Sequence, residues 1–291
     1  GSIRCWPKEP DMSFKAPAIQ MCSGIDPERN AADMARLVRE AAAQGAIYIQ
    51  TPEMTGAVQR DRAGLRAVLR GEADDVVLRT GRELAAELGV HVHIGSTAIA
   101  REDGKLANRG FLIGPEGAIV CSYDKIHMFD VDLDNGESWR ESAAYEPGCT
   151  AMTASLPFGE LGFTICYDVR FPALFRMQAV NGAEVISVPA AFTRQTGEAH
   201  WEVLLRARAI ENGVFIIAAA QAGVHEDGRE TYGHSMIIDP WGKVLASAGG
   251  TGEAVVLAEI DTGAVHAARK RIPNLVNARE FSFQKIAGAG A

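Results

Sequence analysis

The chain has 291 residues, of which 47% are apolar, and carries a formal net charge of -8. That supply of apolar side chains is ample for a sizeable core. The acidic balance and the lack of any Lys/Arg cluster argue against a nucleic-acid groove, which needs clustered cations. The five cysteines (Cys5, Cys22, Cys121, Cys149 and Cys166) are odd in number and widely spaced, with no Cys-x-x-Cys pair. Neither a disulfide framework nor a zinc site is therefore indicated, and a reducing cytoplasm fits. No apolar run approaches the roughly 20 residues of a membrane helix. The expected partner is a small molecule, with no nucleic acid, membrane, metal or cofactor.

Residues 1–11, followed by an initiator-like Met12, read as a leader or an appended scar. One domain is expected over 12–283, since no polar linker divides it, with a short tail over 284–291. Residues 16–21 read as a strand. Asn30 reads as the cap of a helix, with Asp33 at the box position and Ala31, Met34, Leu37, Val38, Ala41 and Ala42 at helical spacing before Gly45. Residues 46–51 read as a buried strand that Pro52 ends, leaving Glu53 just past its carboxyl end. Val76, Val77, Leu84 and Leu88 mark a second helix, stopped by Gly89. Strands follow at 92–99 and 109–113, then a turn at 114–117 and a hairpin partner at 118–123 that delivers Lys125.

The loop over 127–148 is long for a compact domain, which points to function or mobility. Strands at 151–156 and 161–165 lead to Cys166, and 172–180 is helical with Pro172 at its first position. Residues 185–188 form a strand, 190–197 a loop, and 200–212 a helix with Val203, Leu204, Ala207 and Ile210 as its apolar stripe. Strands at 214–220, 234–238, 243–246 and 254–260 complete the pattern, and the last thirty residues are partly helical.

There is an internal echo. Gly45-Ala46-x-x-Ile49-x-x-Pro52 recurs as Gly182-Ala183-x-x-Ile186-x-x-Pro189, and the hairpin over 111–120 is matched over 236–245. Two similar halves, each an apolar sheet with helices on one side, bury their free faces by packing together. The expected fold is an α/β four-layer α-β-β-α sandwich with a pseudo-twofold internal repeat.

Cys166 stands at a strand-to-helix turn, where free backbone N–H groups favour a thiolate and can hold an oxyanion. A buried structural cysteine is the alternative. If Glu53, Lys125 and Cys166 converge, a carboxylate with its pKa raised by burial can take the thiol proton and return one to a leaving amine. The ammonium counters that rise and stabilises the oxyanion, with the backbone N–H of Tyr167 as a second donor. A Cys-His pair through His127 or His200 stays open. His91 and His93 share a strand face, but no third metal ligand is identifiable.

The set Pro52-Glu53, Lys125-Ile126-His127 and Cys166-Tyr167-Asp168-x-Arg170-Phe171-Pro172 resembles the nitrilase superfamily of carbon-nitrogen hydrolases. The resemblance implies Glu53 as general base, Lys125 as oxyanion stabiliser and Cys166 as nucleophile. It also implies a second glutamate beside the lysine, with Glu141 at matching spacing and Glu137 as competitor, and association into a homodimer or higher homo-oligomer. Tyr167-Asp168 in place of Trp-Glu is similar to the amidase side of the superfamily. The stretches over 125–132, 196–202 and 232–236 resemble the branch of deaminated-glutathione amidase and omega-amidase, and the run over 201–211, with Gln221 later, resembles the deaminated-glutathione side of it. That branch implies attack on the terminal amide of a 2-oxo acid derivative and hydrolysis of a thioester. An N-carbamoyl amino acid hydrolase and a catalytically silent scaffold are the alternatives. Such substrates carry carboxylates, which Arg170 and Arg194 can bind, although Arg170 can equally pair with Asp168 or Glu202. Phe129, Phe192 and Thr193 lie in loops expected to line the pocket.

Overall fold

A computed structural model describes residues 13–133 and 136–286. Residues 1–11 and 287–291 of the expected tail lie outside that range. The first half runs β1 (Ser13–Gln20), α1 (Pro27–Ala43), β2 (Tyr48–Gln50), α2 (Arg62–Val68), α3 (Val76–Leu88), β3 (His91–Ala100), β4 (Leu106–Ile113) and β5 (Ile119–Asp124). A small hairpin, β6 (Asp130–Asp132) and β7 (Ser138–Arg140), occupies the long loop. The second half runs β8 (Thr153–Leu156), β9 (Gly159–Phe163), α4 (Pro172–Val180), β10 (Val185–Ser187), α5 (Arg194–Asn212) and β11 (Phe215–Ala218). A second hairpin, β12 (Ala222–Val224) and β13 (Glu230–Tyr232), precedes β14 (Met236–Ile238), β15 (Val244–Ser247), β16 (Ala254–Asp261) and α6 (Gly263–Arg271).

The strands form two six-stranded sheets, ordered β16-β1-β2-β3-β4-β5 and β15-β14-β11-β10-β9-β8. The pairing repeats between the halves. β1 lies antiparallel to β16 and parallel to β2, as β9 lies antiparallel to β8 and parallel to β10. The echoed segments are the equivalent strands β2 and β10, and the echoed hairpins are β4-β5 and β14-β15. Period-two alternation divides each strand between layers. In the first sheet, Phe14, Ala16, Ala18, Tyr48 and Leu112 face the second sheet's Leu161, Phe163 and Val185. Ile19, Ile49, Phe111 and Ile113 turn the other way, onto Met34, Leu37 and Val38 of α1 and Val77 and Leu84 of α3. On the far side Phe175 of α4 and Trp201 and Leu205 of α5 close the second sheet. This is the α-β-β-α sandwich.

The two halves meet tightly at Gly95. A Cβ there would collide with the carbonyl oxygens of Thr51 and Pro52 and with the ring of Pro189. Both echoed prolines therefore abut a residue that has no side chain. This contact sets the carboxyl ends of β2 and β10 side by side, at one end of the sandwich.

Two local expectations are corrected. Asp26, not Asn30, caps α1: its carboxylate accepts from Glu28 N at 3.0 Å and Pro27 follows at the first helical position. Asn30 lies inside the helix and ties two loops together, accepting from Gly24 N at 2.8 Å and donating to Gly24 O at 3.0 Å and Gly56 O at 2.8 Å. The second correction concerns α5, which starts at Arg194, six residues before the expected start. Of its expected apolar stripe, Val203 and Ile210 face outward, 69% and 52% exposed, while Leu204 and Ala207 are only half-buried. The buried face instead carries Trp201, Leu205 and Ala209 with two polar members, Arg208 and Asn212. Arg208 Nε donates to Val169 O at 2.9 Å, so a charged side chain sits where a hydrophobic pattern predicts surface. The two hairpins and α2 were too short and polar to register as periodic segments.

The different tasks of Asp26 and Asn30 separate in stability. Asp26→Ala removes one cap bond and should cost about 1 kcal/mol, whereas Asn30→Ala strands three backbone groups and should cost upwards of about 2 kcal/mol. Urea unfolding of the two variants checks the order.

Candidate active site

Glu53 leaves β2 on a turn begun by Pro52. The next residue, Met54, has φ 55°, in the left-handed region. Gln221 secures that turn: its Nε2 donates to Glu53 O at 3.1 Å and Met54 O at 3.3 Å, while its Oε1 accepts from Ser23 N at 3.0 Å. Lys125 follows directly on β5, with its N–H on Asn108 O at 3.0 Å. Glu141 opens a short 3-10 turn after β7. Cys166 opens another after β9, with φ 50° and its N–H on Pro189 O at 2.8 Å. A non-glycine residue in this conformation costs about 1–2 kcal/mol, so the surrounding bonds hold both turns against local preference.

Asp168 secures the second turn. Its carboxylate accepts from Ile165 N at 2.9 Å, Tyr123 Oη at 2.8 Å and both His127 N at 3.0 Å and His127 Nδ1 at 2.6 Å. One buried aspartate thus joins the end of β5 to the cysteine turn. His127 also stacks on Phe171, with ring centroids 3.5 Å apart. His200 is turned to Arg170. The charged group that acts on the Cys166 thiol is Glu53, together with Lys125, while His127 is held by Asp168.

The structure brings Glu53, Lys125, Glu141 and Cys166 together. Lys125 Nζ donates to Glu53 Oε1 at 2.8 Å and to Glu141 Oε1 and Oε2 at 3.0 and 2.9 Å. Asn108 Nδ2 bridges the same carboxylates, at 2.9 Å from Glu53 Oε1 and 3.0 Å from Glu141 Oε1. Glu141 Oε2 accepts from Phe129 N at 2.7 Å, and Glu53 Oε2 from Ala191 N at 2.9 Å. Glu137 lines the same cavity but accepts from Trp139 Nε1 at 3.1 Å, so the lysine's second carboxylate is Glu141.

Burial pushes the Glu53 carboxyl up. The charge of Lys125 and hydrogen bonds from Lys125, Cys166 and Asn108 outweigh it, and the group titrates below the ordinary glutamate range. Burial opposes the charged form of Lys125, yet Glu141 and Glu53 hold it well above the ordinary lysine range. Burial, then the Glu53 charge, push the Cys166 thiol well above its ordinary value, against Lys125 and the Ala191 N–H. Two expectations change accordingly. The carboxylate is not raised by burial, because the ammonium beside it prevails. The resting thiol is not favoured as a thiolate, because burial and the charge of Glu53 both oppose its ionisation.

These groups open on a cavity of about 620 Å³ that Phe129, Tyr167, Phe192 and Thr193 also line. Arg170 and Arg194 do not line it. The Arg170 guanidinium lies 5.3 Å from the Phe192 ring and 5.8 Å from the Tyr167 ring, with Nη1 3.3 Å from His200 Nδ1 rather than on Asp168 or Glu202. Arg194 pairs on the surface with Glu198 at 2.9 Å and Glu230 at 2.7 Å. The arginines that line the cavity are Arg60, Arg62, Arg66, Arg140 and Arg229. Sequence reasoning missed these, together with Asn108, Asp168 and Gln221 as tethers. Only the close spacing of Arg60, Arg62 and Arg66 was a signal. His93, weighed as a metal ligand, hydrogen-bonds the Tyr48 hydroxyl at 2.7 Å and burial lowers its pKa to about 3.

A family model described as carbon-nitrogen hydrolase matches residues 15–270. A deaminated glutathione amidase of Yersinia enterocolitica is 40% identical over 267 residues, covering 91% of this chain and 92% of that protein. The human protein of the same name is 38% identical over 272 residues, covering 90% and 82%. Among solved structures, the C. elegans NitFhit protein superposes with a TM-score of 0.85 at 32% identity, over 92% of this chain and 65% of that longer one. The matched span contains both sheets and all four converging side chains, and the chain belongs to the carbon-nitrogen hydrolase family.

Proposed function

We propose that this chain hydrolyses the amide of deaminated glutathione through a cysteinyl thioester, with Glu53, Lys125, Cys166 and Glu141 as its catalytic groups. The observation that carries the reading is the buried Glu53-Lys125-Glu141 cluster against the Cys166 thiol. Glu53 takes the thiol proton as sulfur attacks the amide carbonyl. Lys125 and the Tyr167 N–H stabilise the oxyanion. Glu53 then protonates the departing amine, leaving an acyl-sulfur bond. In the second half Glu53 takes a proton from water, the hydroxide attacks the thioester, and the thiolate leaves and recovers the proton from Glu53. Glu141 holds Lys125 in register between the two carboxylates.

Relatives named for that substrate support the assignment. So does a cavity of about 620 Å³ lined by arginines, which is roomier than a short primary amide requires. An omega-amidase acting on 2-oxoglutaramate is the second reading, and N-carbamoyl hydrolysis the third. Steady-state amine release from deaminated glutathione, 2-oxoglutaramate and an N-carbamoyl amino acid ranks them. Deaminated glutathione should give the highest kcat/KM, and Cys166→Ala should lose at least about 10³-fold on it. A silent scaffold turns over none of the three.

The pH profile tests the proton assignments. A base that titrates below the ordinary glutamate range is ionised at neutral pH, and activity falls only as acid protonates it. Between about pH 6 and 8, kcat/KM should therefore be nearly flat. A rise through the ordinary thiol range would instead mark a free thiolate as nucleophile.

Association into a homodimer or higher homo-oligomer is part of the same reading, in a cytoplasmic setting. Outward-facing Met177, Val180, Val203 and Ile210 support it, since they lie on two helices that pack side by side, α4 and α5, and apolar side chains exposed on adjoining helices mark an interaction surface. Sedimentation should give a mass at least twice the monomer's, falling in Val203→Asp.

A further inference from the structure

The cavity wall carries a second charge cluster, apart from the lysine. The guanidinium carbon of Arg229 lies 4.7 Å from the centroid of the Trp139 ring, and that of Arg60 lies 5.0 Å from it. The indole is oriented by its Nε1 bond to Glu137. Among the described residues neither guanidinium is paired with a carboxylate. Arg229 gives Nη2 to Ala191 O at 2.6 Å, and its Nε is buried without a partner. The polar bond at Arg60 is made by its backbone N–H, to Asp227 at 2.7 Å.

Charge makes the same point for the whole cavity. Six cationic side chains line it against three carboxylates, in a chain whose net charge is -8. Lys125 is neutralised by Glu53 and Glu141, and Arg140 by Asp132. Arg62 and Arg66 spend a donor each on carbonyl oxygens of Arg140 and Gly104. Arg60 and Arg229 both lie over the Trp139 ring, and among the described residues neither guanidinium is in an ion pair, the nearby Asp227 carboxylate being taken by their two backbone N–H groups. Their surroundings lead straight to the reacting end. Ala191, whose carbonyl Arg229 holds, donates its N–H to Glu53 Oε2.

We infer that Arg60 and Arg229, with Trp139 as their common platform, form a clamp for a carboxylate of the substrate. This rests on the amidase reading, in which the substrate is an anionic amide. A carboxylate is available on the acyl side and on the leaving side of such an amide, and the chemistry of recognition is the same for both.

Calorimetric titration of the full chain with glutarate, which models the acyl side, and with cysteinylglycine, which models the leaving side, tests the clamp without turnover. Arg60→Met and Arg229→Met keep the side-chain bulk on the indole and remove the charge. Both should weaken the same probe by about ten-fold or more. Loss on glutarate puts the carboxylate on the acyl side, and loss on cysteinylglycine puts it on the leaving side. An unchanged Kd in Arg60→Met for both probes, an effect of Arg229→Met alone, or no binding to the unsubstituted protein overturns the clamp. Amine release from deaminated glutathione decides the parent reading separately. Turnover with arginine-independent binding removes the clamp and leaves the amidase. Arginine-dependent binding without turnover removes the substrate and leaves the clamp.

Discussion

Lys125 is a fully buried ammonium, and the site is arranged so that it can exist. A lone charge in that position would cost several kcal/mol. Its two carboxylates satisfy it, but they bring an excess negative charge, which Asn108 Nδ2, Phe129 N and Ala191 N share by donating to the same oxygens. The cluster is thus a network in which each member depends on donors from another segment. β4 contributes Asn108, the segment after β5 contributes Lys125, the β6-β7 hairpin leads to Glu141, and the segment after β10 contributes Ala191.

The same network sets the protonation states. A carboxylate beside an ammonium stays ionised, and a thiol beside that carboxylate stays protonated, because a second anion there is opposed by both burial and Glu53. Thiol and carboxylate are therefore coupled at rest by a single proton rather than each being tuned alone. The left-handed backbone at Met54 and Cys166 belongs to this arrangement. It presents the two groups to one another, and Gln221 and Asp168 oppose the strain from positions whose roles are purely structural.

Much of this was legible beforehand, for physical reasons. The repeated Gly-Ala-x-x-Ile-x-x-Pro segment predicts two equivalent strands because a sheet strand must be apolar and must stop, and both strands are found at equivalent places in their sheets. Glu53, Lys125 and Cys166 could be picked out by position, because each stands just past a strand end, where the backbone is free to turn. The arginines that line the cavity could not. Arg170 and Arg194 looked suitable beside the cysteine, yet they are occupied by aromatic rings, His200 and surface acids. Arg229 faces the cavity although it lies 63 positions from Cys166 in a polar hairpin with no periodic signal.

The sequence by itself determined the layering and the internal repeat and marked the side chains that converge at one end of the sandwich, because those follow from hydrophobic period, turn residues and the local order around each group. Only the tertiary structure decided which glutamate sits on the lysine, which way the pKa of Glu53 moves, which face of α5 is buried and which arginines meet the cavity. Each of those depends on distances between segments far apart in the chain. Coulomb and hydrogen-bond energies at a few ångströms overrule the averages that composition and spacing express.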